Sequence, residues 1–165
     1  MTPDQIAKNG SEHAIQSALF AWAAVAENHG FEVADLWAET NDAKAFLTSK
    51  KQGIPELRWL YAVPNGGSRG DNEKSRKIRG GKMKAEGLRD GVADIFWPVP
   101  RFPFPGLYIE MKTPTGTIRP QAQREFRTFV MSQGYAHSYE RSWRSAAELI
   151  KFYYAQDARF QQKDK

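Results

Sequence analysis

The fold is decided by two stretches of sequence, GLRDGVADIFWPVP at residues 87–100 and GLYIEMKTPTG at residues 106–116. Each contains a short run of mainly apolar residues, 92–97 in the first and 107–112 in the second, and a proline closes each run. Runs of this length bounded by glycine and proline are typical of buried strands. The proline-rich segment between them cannot donate regular ladder hydrogen bonds, which favours a hairpin-like connection. The two runs are therefore predicted to be neighbouring strands.

The segments on either side predict further strands and helices. LRWLYAV at 57–63 and YAHSYER at 135–141 are strand candidates because they are rich in aromatic and apolar residues. A helix is predicted over 11–29, with Ser11 as its N-cap and Gly30 as its stop. A second helix is predicted over 120–133, beginning at a proline.

The last predicted helix begins with a capping box from Ser145 to Glu148, and its inward face carries Leu149, Phe152 and Tyr153. Residues 34–56 are compatible with a short helix or with an excursion from the core. The elements then follow the order α-β-β-β-α-β-α. This order implies an α/β fold, with a mixed central sheet of about four strands flanked by helices.

Length and composition limit the kinds of site that are possible. The 165 residues fit a single domain, 1–165, with a core at about 11–155 and a flexible tail at 156–165. The absence of cysteine excludes disulfides and thiolate zinc sites, and the three histidines have no ligand spacing. Oxygen ligands must therefore hold any metal, which favours Mg²⁺ or Mn²⁺. No stretch is long enough to span a bilayer, so we expect a cytoplasmic protein with no membrane partner.

The positive charge is concentrated in one segment. The chain has a net charge of +5, and residues 69–89 contain eight basic and three acidic residues, which also gives +5. Such a basic field suits a polyanion, because each phosphate contact releases counterions. A solvated loop is the alternative explanation.

An acidic pair and a lysine carry the candidate chemistry. Side chains two residues apart share one face of a strand, so Glu110 and Lys112 point away from the apolar face of the same strand. Asp94 is the one charged residue in the run 92–97, where its burial is costly without a cation, hydrogen bonds or water. If the strands pair, Asp94 and Glu110 converge on one hard cation, with the backbone carbonyl of Met111 as a third oxygen. A solvated strand face is the alternative, and for a bare Glu-x-Lys pattern it is the commoner one.

Taken in order, these residues resemble the core of the VRR-NUC family, a branch of the PD-(D/E)XK nucleases. The matching features are a glycine turn, an aspartate before an apolar strand, a strand ending in E-x-K, and T-P-x-G: Gly87, Gly91, Asp94, Gly106, Glu110, Lys112, Thr113, Pro114 and Gly116. The segments 63–69 and 82–87 also resemble the family. Ala93 stands where the family usually has proline, which removes a backbone constraint but no ligand.

The resemblance implies a restriction-endonuclease-like core whose catalytic residues are Asp94, Glu110 and Lys112, joined by Gln123 of the next helix. Lys112 would orient the attacking water or stabilise charge on the phosphate. The resemblance also implies a carboxylate from the first helix, and Glu12 is the candidate for this metal ligand. A glutamate in a first turn also stabilises the helix dipole without any metal. Four further residues are predicted to contact phosphate: Asn65, Arg69, Lys82 and Lys84. The alternative for each is a solvated loop residue.

The leading functional hypothesis is an endonuclease that hydrolyses DNA with Mg²⁺ or Mn²⁺ and prefers branched DNA such as four-way junctions. A homodimer is expected because two-fold symmetry would match a symmetric junction. Its contacts are predicted among exposed aromatic residues, namely Trp37, Phe46 or the segment 97–104. Family resemblance suggests a phage or prophage origin, hence a bacterial host cell. The alternatives are an inactive nucleic-acid-binding module and a sequence-specific restriction-type enzyme.

Overall fold

A four-stranded mixed sheet forms the centre of the protein. The computed structural model describes residues 1–41, 52–64, 82, 84–117 and 121–156. The sheet has the order β1-β2-β3-β4, and its strands are β1 (Tyr61–Ala62), β2 (Ile95–Trp97), β3 (Leu107–Met111) and β4 (Ala136–Glu140). β1, β2 and β3 are antiparallel, whereas β3 and β4 are parallel. The predicted α/β fold with a mixed sheet of four strands is confirmed.

Helices flank this sheet. They are α1 (Pro3–Ala7), α2 (Glu12–His29), α3 (Phe31–Thr40), α4 (Gln121–Ser132) and α5 (Trp143–Tyr154). No helix in the described part of the chain is both long and apolar enough to cross a lipid bilayer. The first residue predicted for the 120–133 helix and residues 157–165 of the predicted tail lie outside the described ranges.

Helix α2 begins and ends where the sequence predicts. The Ser11 side chain accepts a hydrogen bond from the Ala14 N–H at 3.2 Å, which caps the N-terminus. Gly30 has φ of 87°, and its N–H donates to the Ala26 carbonyl at 2.9 Å. The side chains of Leu19 and Trp22 are fully buried against the sheet core.

On β2 and β3, one face of the sheet is entirely apolar. Its side chains are at most 1% exposed and pack with α2 and α5: Ile95, Trp97, Leu107, Ile109 and Met111. Burial of each such side chain contributes about 1.5–3 kcal/mol relative to leaving it exposed. Because side chains alternate along a strand, Asp94 and Glu110 must lie on the opposite face. The apolar face therefore fixes which side of the sheet carries the charged residues.

The connection between β2 and β3 is the predicted hairpin. Arg101 and Phe104 form an antiparallel bridge, with the Arg101 N–H donating to the Phe104 carbonyl at 2.9 Å. Arg101 is itself buried and donates from Nε to the Tyr154 carbonyl at 3.0 Å, which attaches the hairpin to α5.

The predicted strand over 57–63 is largely wrong. Residues Pro55–Trp59 form a 3-10 helix, and only Tyr61–Ala62 are extended in the sheet. Pro55 favours the first turn of a helix. Leu57 and Leu60 are both buried and lie three residues apart, which matches the 3-10 repeat rather than the alternation of a strand.

The start and inward face of the last helix also differ from the prediction. Ser142, not Ser145, is the N-cap, and its side chain accepts from the Ser145 N–H at 3.0 Å. Starting the helix three residues earlier places Trp143, Ile150 and Tyr153 in the core, whereas Phe152 is 70% exposed. The prediction that Phe152 faces inward is therefore wrong.

The corrected helix face predicts different costs for two neighbouring substitutions in α5. Ile150→Ala should lower the free energy of unfolding by about 2–5 kcal/mol, because it leaves a cavity in the core. Phe152→Ala should change it by about 0.5 kcal/mol, because that side chain is exposed. Urea denaturation measures both values, and equal losses would contradict this orientation of α5.

Candidate active site

Asp94 and Glu110 lie side by side in a row of residues that crosses the sheet. β2 and β3 pair with Ile95 opposite Ile109, so Asp94 follows in register opposite Glu110. Tyr139 of β4 pairs with Glu110 on the other side. On the near side, the Val63 N–H donates to the Asp94 carbonyl at 2.8 Å, which extends the β1–β2 ladder by one residue. We call Val63, Asp94, Glu110 and Tyr139 the acidic row.

A hydrogen bond from a backbone N–H holds the carboxylate of Asp94. Its Oδ2 accepts a hydrogen bond from the Met111 N–H at 2.8 Å. The Met111 carbonyl is predicted from sequence as a third oxygen, whereas the structure brings the N–H of this residue to the aspartate. This hydrogen bond binds the end of β3 to Asp94.

The carboxylate of Glu110 is buried and receives two side-chain donors. Lys112 Nζ donates to Glu110 Oε1 at 2.6 Å, and Gln123 Nε2 donates to the same oxygen. Glu110 is 2% exposed and Lys112 is 6% exposed. Glu12 Oε1 lies 4.0 Å from Lys112 Nζ, with its side chain half exposed at the N-terminal end of α2. One lysine therefore faces two carboxylates.

The electrostatic balance of this group favours protonation of Glu110. Burial, followed by the negative charge of Asp94, raises the pKa of Glu110 to about 7. Lys112 opposes the shift, through its hydrogen bond and its charge, without cancelling it.

The predicted catalytic residues line one cleft. Its volume is about 310 Å³, and the residues predicted from sequence that line it are Glu12, Asp94, Glu110, Lys112 and Gln123. Gly91 lies on its wall with φ of 86°, and a Cβ there would come within 2.4 Å of the Ala122 backbone. Glycine at 91 thus allows the turn before β2 to pack against the start of α4, which places Gln123 over Glu110.

The donor atoms in the cleft fit a hard divalent cation. Among the described residues, no three His, Cys, Asp or Glu side chains form a ready-made metal cage. The cleft instead offers the carboxylates of Asp94 and Glu110 and the buried Gln123 Oε1, which has no hydrogen-bond partner in the described part of the chain. An all-oxygen set with an excess of negative charge suits Mg²⁺ or Mn²⁺.

The predicted phosphate contacts are not gathered in the cleft. Asn65 and Arg69 lie outside the described residues. Lys82 and Lys84 are exposed and do not line the cleft. Lys84 Nζ is 2.8 Å from Oδ2 of Asp90, and Asp90 is a lining residue of the cleft.

Two residues near the site were not predicted from sequence. Tyr139 pairs with Glu110, and its hydroxyl donates to the Gln123 carbonyl at 3.4 Å. Arg89 lines the cleft beside Asp90. Tyr139 belongs to no motif, so only the register of β4 could have indicated it. Arg89 lies in the glycine turn and in the basic segment 69–89, and the sequence does not place it in the cleft.

Comparison with known proteins supports the fold class. A scan against protein-family models finds no match, and a search of curated proteins finds none either. Among solved structures, the chain is similar to a protein described as a VRR_NUC domain protein, with a TM-score of 0.59 and 17% sequence identity. The similarity covers 88% of this chain and 89% of that chain. The protein thus has an α/β restriction-endonuclease-like core. Within that class, its fold is the VRR-NUC fold.

The raised pKa of Glu110 predicts a pH-dependent effect of Asp94→Asn on stability in EDTA. A carboxyl whose pKa is about 7 when folded and 4.5 when unfolded binds more protons in the folded state between these values. Its contribution to stability is therefore present below pH 4.5 and lost as pH rises to 7. Asp94→Asn removes the neighbouring charge, so relative to wild type it should gain on the order of 1 kcal/mol of stability across this window.

A comparison between variants is needed because His137 makes stability depend on pH in the opposite direction. Burial, followed by the charge of Arg127, lowers the pKa of His137 to about 4, so its contribution rises with pH between about 4 and 6.5. Asp35→Asn removes a carboxylate outside the cleft, so its melting temperature should change with pH from 4.5 to 7.5 in the same way as that of wild type. If the melting temperature of Asp94→Asn also follows wild type across this range, the coupling between Asp94 and Glu110 is contradicted.

Proposed function

We propose that this protein is a metal-dependent nuclease that hydrolyses phosphodiester bonds in DNA. The observation that carries the proposal is the pairing of Asp94 with Glu110 in a cleft that also contains Lys112, on a VRR-NUC fold. Two carboxylates beside a buried lysine are costly in a protein that does not use them. Similarity to a VRR_NUC domain protein adds to this argument.

The residues that would hold Mg²⁺ or Mn²⁺ are Asp94 and Glu110, with Glu12 and the Met111 carbonyl completing the predicted set. When bound, such a cation polarises the phosphate and lowers the pKa of a bound water. The donor set of the cleft, described above, supports the roles of Asp94 and Glu110. Gln123 Oε1 is an additional oxygen beside Glu110.

The protein residues position the reacting groups. Gln123 and Lys112 fix the Glu110 carboxylate by donating to one of its oxygens, and this leaves Oε2 for the cation or for water. The Met111 N–H fixes Asp94 in the same way. The water oxygen would attack phosphorus as the bond to the leaving oxygen breaks, with the water's proton passing to solvent and the leaving oxygen taking up a proton from solvent. The Lys112 ammonium lies beside Glu110, where its charge offsets the negative charge that builds up on the phosphate.

The proposed substrate is branched DNA, and the proposed assembly is a homodimer. The segment 69–89 carries a net charge of +5 in the sequence, and its last residue, Arg89, lines the cleft, which favours a polyanionic substrate. A two-fold dimer would place two clefts on a symmetric junction. Of the residues predicted to form dimer contacts, Trp97 is fully buried and therefore cannot lie in an interface. Phe46 lies outside the described residues, and Phe102 is 44% exposed.

A cleavage panel tests the activity and its substrate. Flaps, forks, four-way junctions and linear duplex are each incubated with Mg²⁺, Mn²⁺ or EDTA. Wild type should cut branched DNA only with a divalent cation, and Asp94→Asn or Lys112→Ala should each reduce the rate by roughly 100-fold or more. Binding of the same variants to junction DNA should be largely retained.

Lys151→Ala is the matched control for Lys112→Ala. Lys151 is also a paired lysine, 2.8 Å from Asp35, but it lies outside the cleft, so this variant should cut at the wild-type rate.

Light scattering coupled to size exclusion should give the mass of a dimer at micromolar concentration. Junction binding without cutting of any substrate would identify a binding module and refute the nuclease.

A further inference from the structure

A second cavity opens beside the cleft. Its volume is about 430 Å³. Val63, Pro64, Leu88 and Val92 form its apolar walls, and Glu86 and Arg89 are its charged residues. Leu88, Arg89 and Val92 also line the cleft. We call this second cavity the side pocket; the two cavities share one wall.

The register of the sheet places the side pocket next to the acidic pair. Val63 belongs to the acidic row and bonds through its N–H to the carbonyl of Asp94. Side chains directly opposite one another on antiparallel strands have Cβ atoms about 4.5–5.5 Å apart. A ligand group in the side pocket is therefore the immediate neighbour of a group bound at Asp94 and Glu110.

The chemistry of the side pocket suits a neutral, mainly apolar group. A phosphate would gain from Arg89 but would be repelled by Glu86, and it would have to leave water for apolar walls. An aromatic heterocycle would be covered by Val63, Leu88 and Val92, while its polar edge could meet Glu86. A nucleobase has these properties, and it is available only when it is unpaired from its complement.

We propose that the side pocket binds an unpaired nucleobase of the nucleotide adjacent to the phosphate in the cleft. This inference rests on the proposed nuclease function and names the structural feature that its substrate must have. Leu88, Arg89 and Val92, in the wall shared by both cavities, would contact both the base and the backbone beside it. The enzyme would thereby select a single-stranded nucleotide at the branch over continuous duplex.

Equilibrium binding in EDTA tests the pocket independently of cleavage. The probes are fluorescent forked DNAs that carry either a normal base or an abasic site at the first, second or third unpaired nucleotide. At one of these positions, removal of the base should weaken wild-type binding by about 5- to 100-fold, which is the range for loss of one base contact. Equal affinity for all probes would overturn the proposal.

Leu88→Trp fills the side pocket and should abolish this preference, so that base-containing and abasic probes bind within two-fold of each other. Leu36→Trp is the matched control, because Leu36 is exposed on α3 and lines neither cavity. It should keep the wild-type preference. If Leu88→Trp keeps the preference, or instead separates a dimer into monomers, the pocket does not hold a base.

Glu86→Ala provides a second variant that should fold, because Glu86 is exposed. A carboxylate accepts hydrogen bonds from the amino groups of adenine or cytosine, which thymine lacks. Wild type should prefer an unpaired adenine or cytosine over thymine by at least three-fold, and Glu86→Ala should lose this preference. Equal affinities in wild type would overturn this role of Glu86.

The two proposals fail in different ways. If base preference depends on Leu88 but no substrate is cut with any cation, the nuclease proposal is wrong and the pocket is a binding site of an inactive module. If branched DNA is cut but base removal has no effect on binding, the nuclease proposal stands and the side pocket proposal is wrong.

Discussion

The repulsion between the carboxylates of Asp94 and Glu110 is the constraint around which the site is built. Both lie on the face of the sheet away from the apolar core, opposite one another, and Glu110 is buried. Lys112, Gln123 and the Met111 N–H each donate to one of these two carboxylates. The pKa of Glu110 nevertheless rises to about 7, first because the carboxyl is buried and second because of the charge of Asp94. A divalent cation is the simplest remaining source of compensation.

The apolar face of the sheet maintains this arrangement. Ile95 and Ile109 are paired and fully buried, and a slip of one residue in their register would turn Asp94 and Glu110 into the core. α2 packs on that face and carries Glu12 at its first turn, at the rim of the cleft. α4 is held over the polar face by the close approach of Gly91 to Ala122. Packing on the apolar face and in the wall of the cleft therefore determines its geometry.

The sequence was sufficient to predict the parts of the fold that have strong local signals. Helix α2 has a cap, a stop and a periodic apolar face, and β3 alternates between buried and polar residues. The strand prediction for 57–63 is wrong because it rests on composition, since apolar and aromatic residues suit a strand. The spacing of the buried residues Leu57 and Leu60 instead suits a 3-10 turn. Glu12 and Gln123 were placed by family resemblance, since nothing local distinguishes them. Tyr139 and the side pocket depend on strand register, which becomes visible only in the folded chain.

Anomalous diffraction from crystals soaked in Mn²⁺ tests the central claim most directly. The account predicts an anomalous peak between the carboxylates of Asp94 and Glu110, in contact with both, and its loss in Asp94→Asn crystals. A peak that appears only elsewhere, or an empty cleft at saturating Mn²⁺, would contradict the assignment of these two residues as the metal ligands of a nuclease.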